Sequence, residues 1–428
     1  MKINKNEYKL IDRKNEGIWN FYIKDNSIYY KIINCDICEE ETKLIDDVKN
    51  YDINIDSENH IHLICVTYNG EFYYFVYSND KWKKTIIEEY DPELNSIDYL
   101  DIIIIEKVIH VFYSFRNVIN KNLANVVHYI YDDKWKVNYL ETVELLDTEI
   151  KAYFVDYHPH GDIFLLFKEE KEVYLRIFEL SSKTWKELKI IECSVNDIDI
   201  INFYIDNNYN INLIYKNNTT TTHTVNNSGD ISNYDKWSKN IIVKEIEDIN
   251  SLIFEVDTKL YIIWKNEEYL YCKYSDDFGM SWIEDKKFKY DSMCNIHYIG
   301  KEYKNTKLLK YINTFGNVKY NEISLAGIDD NLLFCTKIEE NNSYDEELVD
   351  ENNESEEKES LEFDENNSYD KEIIDESNNN EEDIDEDLEK IIDDVNFFRC
   401  DIEEPISPKN NETLLQKIGK YFNDKKEG

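Results

Sequence analysis

Five tryptophans recur along this chain, Trp82, Trp135, Trp185, Trp237 and Trp282, at intervals of 53, 50, 52 and 45 residues. Each follows a polar turn and precedes a charged run. Near-constant spacing of a large packing residue means that one supersecondary unit is written several times over. Each copy must then bury its faces against its neighbours, because no single copy can enclose a core.

The unit is visible around Trp82. Residues 51–56 form an apolar-polar run, 57–60 a polar turn, 61–66 a second run, Asn69-Gly70 a turn, 72–77 a third run, and 78–82 a turn that opens a fourth run at 83–87. The runs are rich in β-branched and aromatic residues, and Asn, Asp, Ser or Gly bound them, so the unit reads as four short strands with no room for a helix. Its second strand returns at 18–23, 61–66, 108–112, 163–167, 211–215, 260–264 and 308–312. Seven copies between residues 8 and 338 give about 47 residues each, the size of a four-stranded propeller blade. The expected fold class is all-β: a β-propeller with seven blades favoured, or six if the first and last segments combine into one closing blade.

One copy carries a fuller motif. Ser275-Asp276-Asp277-Phe278-Gly279-Met280-Ser281-Trp282 fits S-x-D-x-G-x-[ST]-W and resembles the Asp-box, or bacterial neuraminidase repeat, of sialidase-like propellers. Shortened relatives end at Trp82, Trp135, Trp185 and Trp237. Structural roles are expected for Ser275, Asp277, Gly279 and Trp282: side-chain bonds to turn amides, a positive φ and a ring against the next blade. The other four tryptophans are expected to pack between blades. The resemblance implies that the motif lies in the turn between third and fourth strands, away from any active centre.

The same resemblance raises a glycoside hydrolase as an alternative. Sialidase-like enzymes hold a substrate carboxylate with three arginines, and a planar guanidinium suits that task. Only Arg13, Arg116 and Arg176 fall within the propeller, none in an F-R-I-P segment, and Arg176 lies mid-strand. With 34 tyrosines, a tyrosine nucleophile is neither located nor excluded. No catalytic residue is assigned, and the chain reads as more a binder than an enzyme.

Two second-to-third-strand loops read as enlarged, 116–125 and 216–223, which makes Arg116, Lys121 and His223 the candidate binding residues for a protein or glycan partner. Cys35-Asp-Ile-Cys38 has ligand spacing but lacks the two further ligands zinc needs. His158-Pro-His-Gly-Asp162 reads as a turn, and His60, His62, His110, His128 and His297 as strand residues with ordinary hydrogen bonds. No metal and no cofactor is expected.

The 90 acidic residues outnumber the 49 basic ones, and residues 339–394 alone hold 27 against 3. Residues 1–338 are also net negative, so a nucleic-acid partner, whose phosphates demand basic surface, is excluded. Three regions follow: a propeller over 1–338, a disordered acidic linker over 339–394, and a docking segment over 395–428 in which Leu414, Leu415, Ile418 and Phe422 share one face of a short helix. The first residues are charged and no apolar run reaches spanning length, so a cytoplasmic protein without membrane insertion is expected, a monomer by preference. High Asn, Ile, Lys and Tyr suggest an AT-rich bacterial source, and with it a third reading, an assembly or spore-associated protein.

Overall fold

In the computed structural model, the described residues run from 7 to 326, apart from 14–15, 34–39, 146–150, 159–160, 170–171, 187–188, 192–198, 218–219, 228–235, 245–250, 257, 267–268, 290–293, 301–310 and 320–321. The acidic linker, the docking segment and the pair Cys35/Cys38 therefore lie outside them.

The described chain is a β-propeller built from repeated antiparallel sheets, and six of the seven second-strand runs recur as second strands; of the seventh, 308–312, residues 308–310 lie outside the described residues and 311–312 open the second strand Tyr311–Lys319. Segments spanning 48–89, 95–144, 199–244 and 251–289 each form a four-stranded sheet with strands in sequence order. The segment 154–191 differs only at its outer edge, where Thr184–Trp185 and Lys189–Ile191 both pair with Glu172–Glu179. The inner strands of these copies are buried on both faces, as in Ile61–Thr67, the outer ones only in part, as in Lys81–Glu89, and most hairpin connections are short. Asn79 and Asp80, and Glu106 and Lys107, supply the positive φ that such tight turns need.

The two ends close the structure together. Glu7–Arg13, first strand of segment 7–45, runs parallel to Cys294–Ile299, first strand of segment 294–325, with Lys9 opposite His297. Their hairpins thus share one seven-stranded sheet. Among the described residues there are seven first strands but six sheets, so the repeat count and the sheet count differ by this merger.

Packing between sheets is continuous round the ring. Ile53, Leu63 and Phe75 meet Phe21 and Ile28 in one core, and Ile64, Phe72 and Tyr74 meet Ile102, Tyr113 and Val127 in the next. Further cores join 95–144 to 154–178, that segment to 199–237, and 199–243 to 251–282. The last unites Phe254 and Ile263 with Ile296, Phe315, Leu10 and Ile18, bridging both chain ends. Cys65 and Cys272 are buried among these apolar groups and form no disulfide.

Four of the repeating indoles begin or enter a fourth strand, and Trp282 immediately precedes Ile283–Lys289. Trp82 packs edge-on to Phe21, Trp135 edge-on to Tyr74, and Trp185 edge-on to Phe112, in each case a ring of the preceding sheet. Trp237 joins the core containing Phe164 and Leu175.

Candidate functional site

Neighbouring first strands lie side by side around the ring, and short polar side chains stitch them. Asp52 Oδ2 accepts from Ile102 N at 2.8 Å and Asn54 Nδ2 donates to Ile102 O at 2.9 Å. Asp156 accepts from Ile205 N at 2.6 Å, and Asn202 Nδ2 donates to Ser251 O at 3.2 Å. Within the ring lies a cavity of about 280 Å3 lined by residues of all seven first strands, among them Glu7, Asp52, Asp98, Phe154, Asn202 and His297. Its cations are already matched. Lys9 binds Asp52 at 2.6 Å and Lys151 lies 3.6 Å from Asp101, while the lining Asp98 has Lys49, outside the lining, at 3.7 Å. Tyr311 donates to Asp156 at 2.9 Å, tying the last segment to the fourth. The cavity is small beside ordinary ligand pockets.

The three arginines do not converge. Arg13 pairs with Glu16 and lies over the rings of Trp19 and Tyr77. Arg116 places Nε 2.9 Å from Asp98, and Arg176 places a terminal nitrogen 2.9 Å from Glu141. Each guanidinium is held by a carboxylate of its own, which leaves no triad for a substrate carboxylate.

Two of the candidate binding residues are corrected by this geometry. Arg116 belongs to the strand Val108–Asn117, and its side chain is only 4% exposed, drawn inward by Asp98. His223 belongs to Thr220–Asn226 and is wholly buried. The expected enlarged loop at 216–223 is a two-residue connection, because the threonine run, β-branched and strand-forming, extends the hairpin. Lys121 alone is exposed, on the connection 118–122.

The buried histidines serve the seams. Trp282 Nε1 donates to His223 Nδ1 at 3.3 Å, and Trp185 Nε1 donates to His128 Nδ1 at the same distance. His110 and His128 lie 3.0 Å apart. Burial holds His110 and His223 down to about 3 and also lowers His128 well below its ordinary value, so all three stay neutral. In the turn 275–282, Ser275 Oγ accepts from Gly279 N and donates to Asp277, each at 2.7 Å, and Asp277 accepts from Ser281 N at 2.8 Å. Gly279 has φ +85°, and a Cβ there would lie 2.7 Å from His223 Cε1. This turn orders itself and seals against the preceding sheet.

Exposed apolar side chains gather at the opposite end of the strands. Tyr68, Leu94, Val118 and Ile119 are all exposed, Ile119 at 88%. Backbone bonds join their loops: Tyr90 N to Gly70 O, Leu94 N to Asp91 O, and Val118 N to Leu94 O at 2.8 Å. These connections run from second to third strands or between segments, so hydrogen-bonded loops present all four. The sequence reading missed them, although Val118-Ile119 between polar loop residues was a readable sign.

A further cluster lies on the first-to-second-strand turn of segment 48–89. Asp56 Oδ2 is 2.9 Å from His60 Nδ1 and 3.2 Å from His62 Nε2. Asp56 Oδ1 accepts from Glu58 N and His60 N. Burial acts to raise the Asp56 pKa, but bonds from His62 and His60 outweigh it and hold the carboxyl well below its usual range. The turn His158–Asp162 is closed by its backbone, and His158 Nε2 reaches Asn207 O at 3.1 Å.

Fold and surface together define a β-propeller whose three arginines and central lysines are paired with its own carboxylates. No protein-family model and no curated protein matches the chain. Solved structures similar to it include the Aleuria aurantia lectin, described as a six-bladed β-propeller, at 11% identity, covering 67% of this chain and 96% of the lectin with a TM-score of 0.40. A puromycin hydrolase is 5% identical over 74% of this chain and 50% of its own length, with a TM-score of 0.49. A Lactobacillus plantarum protein is 8% identical over 66% and 84%, with a TM-score of 0.42. At these identities the likeness is one of fold. No helix among the described residues is long and apolar enough to cross a membrane.

Proposed function

We propose that the protein is a non-catalytic interaction module that engages a protein partner through the strip formed by Tyr68, Leu94, Val118 and Ile119, with Lys121 at its rim. The observation carrying this reading is the concentration of exposed apolar side chains on hydrogen-bonded loops, where burial on binding is favourable. Aliphatic tips suit a protein surface better than sugar hydroxyls. A glycan is the second reading, favoured by the exposed ring of Tyr68. The acidic segment 339–394 would act as a tether and 395–428 as a second docking element, in a cytoplasmic setting. Separate pairing of Arg13, Arg116 and Arg176 speaks against the sialidase-like alternative.

The test compares capture by the full chain, by Ile119→Asp and by Tyr68→Ala. Loss of the same captured protein in both variants, with melting unchanged, supports the reading. Binding confined to a glycan array moves it to the glycan. Turnover of a fluorogenic sialoside by the full chain overturns it.

A further inference from the structure

We propose that Asp56, His60 and His62 form a binding site for a zinc-class divalent cation, with Glu58 able to supply a fourth ligand. The residues alternate in sequence, Asp56-Ser-Glu58-Asn-His60-Ile-His62, and the tight turn with Asn59 at φ 75° folds them onto one point. One ligand atom from each of Asp56, His60 and His62 lies within 4.8 Å of the other two. Tetrahedral zinc with bonds near 2.0–2.1 Å sets its ligand atoms about 3.3 Å apart. The two measured separations from Asp56 Oδ2, 2.9 and 3.2 Å, need only a small opening to admit the ion.

Surrounding contacts suit the ion. His62 Nδ1 lies 2.6 Å from the Tyr74 hydroxyl, so its proton has an acceptor when Nε2 binds metal. Asp56 Oδ1 is occupied by two backbone amides, which orients Oδ2 toward the imidazoles. Glu58 Oε2 is 3.9 Å from His60 Nδ1, and its other oxygen pairs with Lys107. His60 and Glu58 are 31% and 51% exposed, giving the ion a path in, whereas Asp56 and His62 are nearly buried.

A second copy of the turn shows what the fold alone requires. In segment 199–244, Asp206 accepts from Asn208 N and Asn210 N at 2.9 Å, from Asn210 Nδ2 at 2.8 Å and from Asn212 Nδ2 at 3.3 Å. Asparagine amides thus satisfy the same carboxylate at both histidine positions. The turn needs two N–H donors there. Imidazoles meet that need and also, with the ring proton on the opposite nitrogen, ligate a metal through a free lone pair, which amides do not.

That copy also designs the control. His60→Asn/His62→Asn restores the pattern of residues 206–212 and keeps the turn's hydrogen bonds while removing both nitrogen ligands. Full-length protein is titrated with Zn2+ by calorimetry and with Co2+ by visible absorption. A Cys35→Ser/Cys38→Ser background removes the competing thiols. We expect one zinc per chain, tetrahedral cobalt bands, a higher melting temperature with zinc, and at least a tenfold loss of affinity in the double asparagine variant. Absence of stoichiometric binding overturns the proposal. So does binding that survives His60→Asn/His62→Asn, which would assign the metal to the acidic linker or another site.

Discussion

Glu88 offers the sharpest check on how the seams are built. It lies in the strand Lys81–Glu89, and its Oε2 faces the third segment, accepting from Tyr129 at 2.9 Å and more distantly from Tyr113 at 3.5 Å. Its other oxygen is buried without a hydrogen-bond partner among the described residues. Burial raises its pKa from 4.5 to about 7, and the two tyrosine bonds offset only part of that effect. With the folded value above the unfolded one, the folded state holds the proton more tightly. The associated stability is fully present below pH 4.5, is lost as pH rises toward 7, and is absent above it. Two and a half units correspond to at most about 3 kcal/mol. For a cooperative unit of this size that is about 4 °C in melting temperature. Glu88→Gln removes the titration and keeps an acceptor for Tyr129. Thermal melts of both proteins between pH 4.5 and 8.5 should show the variant gaining steadily on the parent as pH rises to 7, then running parallel. The fixed cost of burying an amide moves the whole difference curve and leaves its slope unchanged. A difference flat in pH, or one that falls toward pH 8, would refute a buried carboxyl at this seam.

Gly279→Ala meets both a positive φ and the His223 ring, and should cost about 1–3 kcal/mol in urea unfolding. Arg116→Ala should lower stability by about 1–3 kcal/mol through the loss of the Asp98 pair, while partner capture by the full chain is unchanged. His110 and His223 are depressed to about 3, so their stability is present above pH 6.5 and is lost as pH falls below it. His223→Gln should accordingly flatten the acid side of the melting profile.

The repeat was legible because packing residues recur where strand order forces them to. Each second strand and each indole could be placed from apolar runs and turns alone, since both depend on neighbours a few residues away. Side-chain direction was not. Arg116 ends a strand, and only the distant Asp98 decides that it turns inward. His223 follows a polar threonine run that looks like loop, but three β-branched residues before it extend the hairpin and place the ring beneath Trp282. The parallel pairing of Glu7–Arg13 with Cys294–Ile299 joins residues nearly 300 apart, which no local pattern encodes. The Asp56 turn was half legible. Its alternating ligands stand in the sequence, but their convergence depends on the hairpin.

The seams also show what the recurring indole is for. At Trp185 and Trp282 the ring N–H finds a buried neutral imidazole on the preceding sheet. At Trp82 the same nitrogen is buried with no hydrogen-bond partner among the described residues, and the ring is surrounded by Phe21, Tyr30, Phe75 and Tyr77. A position that tolerates a missing bond in one copy and satisfies it in another is held by the area of the ring, worth more at a sheet interface than the single hydrogen bond it sometimes adds. Where the bond exists it fixes the imidazole tautomer, because the accepting Nδ1 leaves the proton on Nε2. His223 then donates from Nε2 to Asn212 at 3.0 Å, and Asn212 donates in turn to Asp206. One indole thus orders a hydrogen-bonded chain that ends at the turn carboxylate of the neighbouring sheet. In segment 48–89 the equivalent carboxylate, Asp56, faces two imidazoles, and the polar chain passes through His62 to Tyr74, against which Trp135 packs by its edge. The same architectural line therefore runs through amides in one sheet and through metal-competent nitrogens in another.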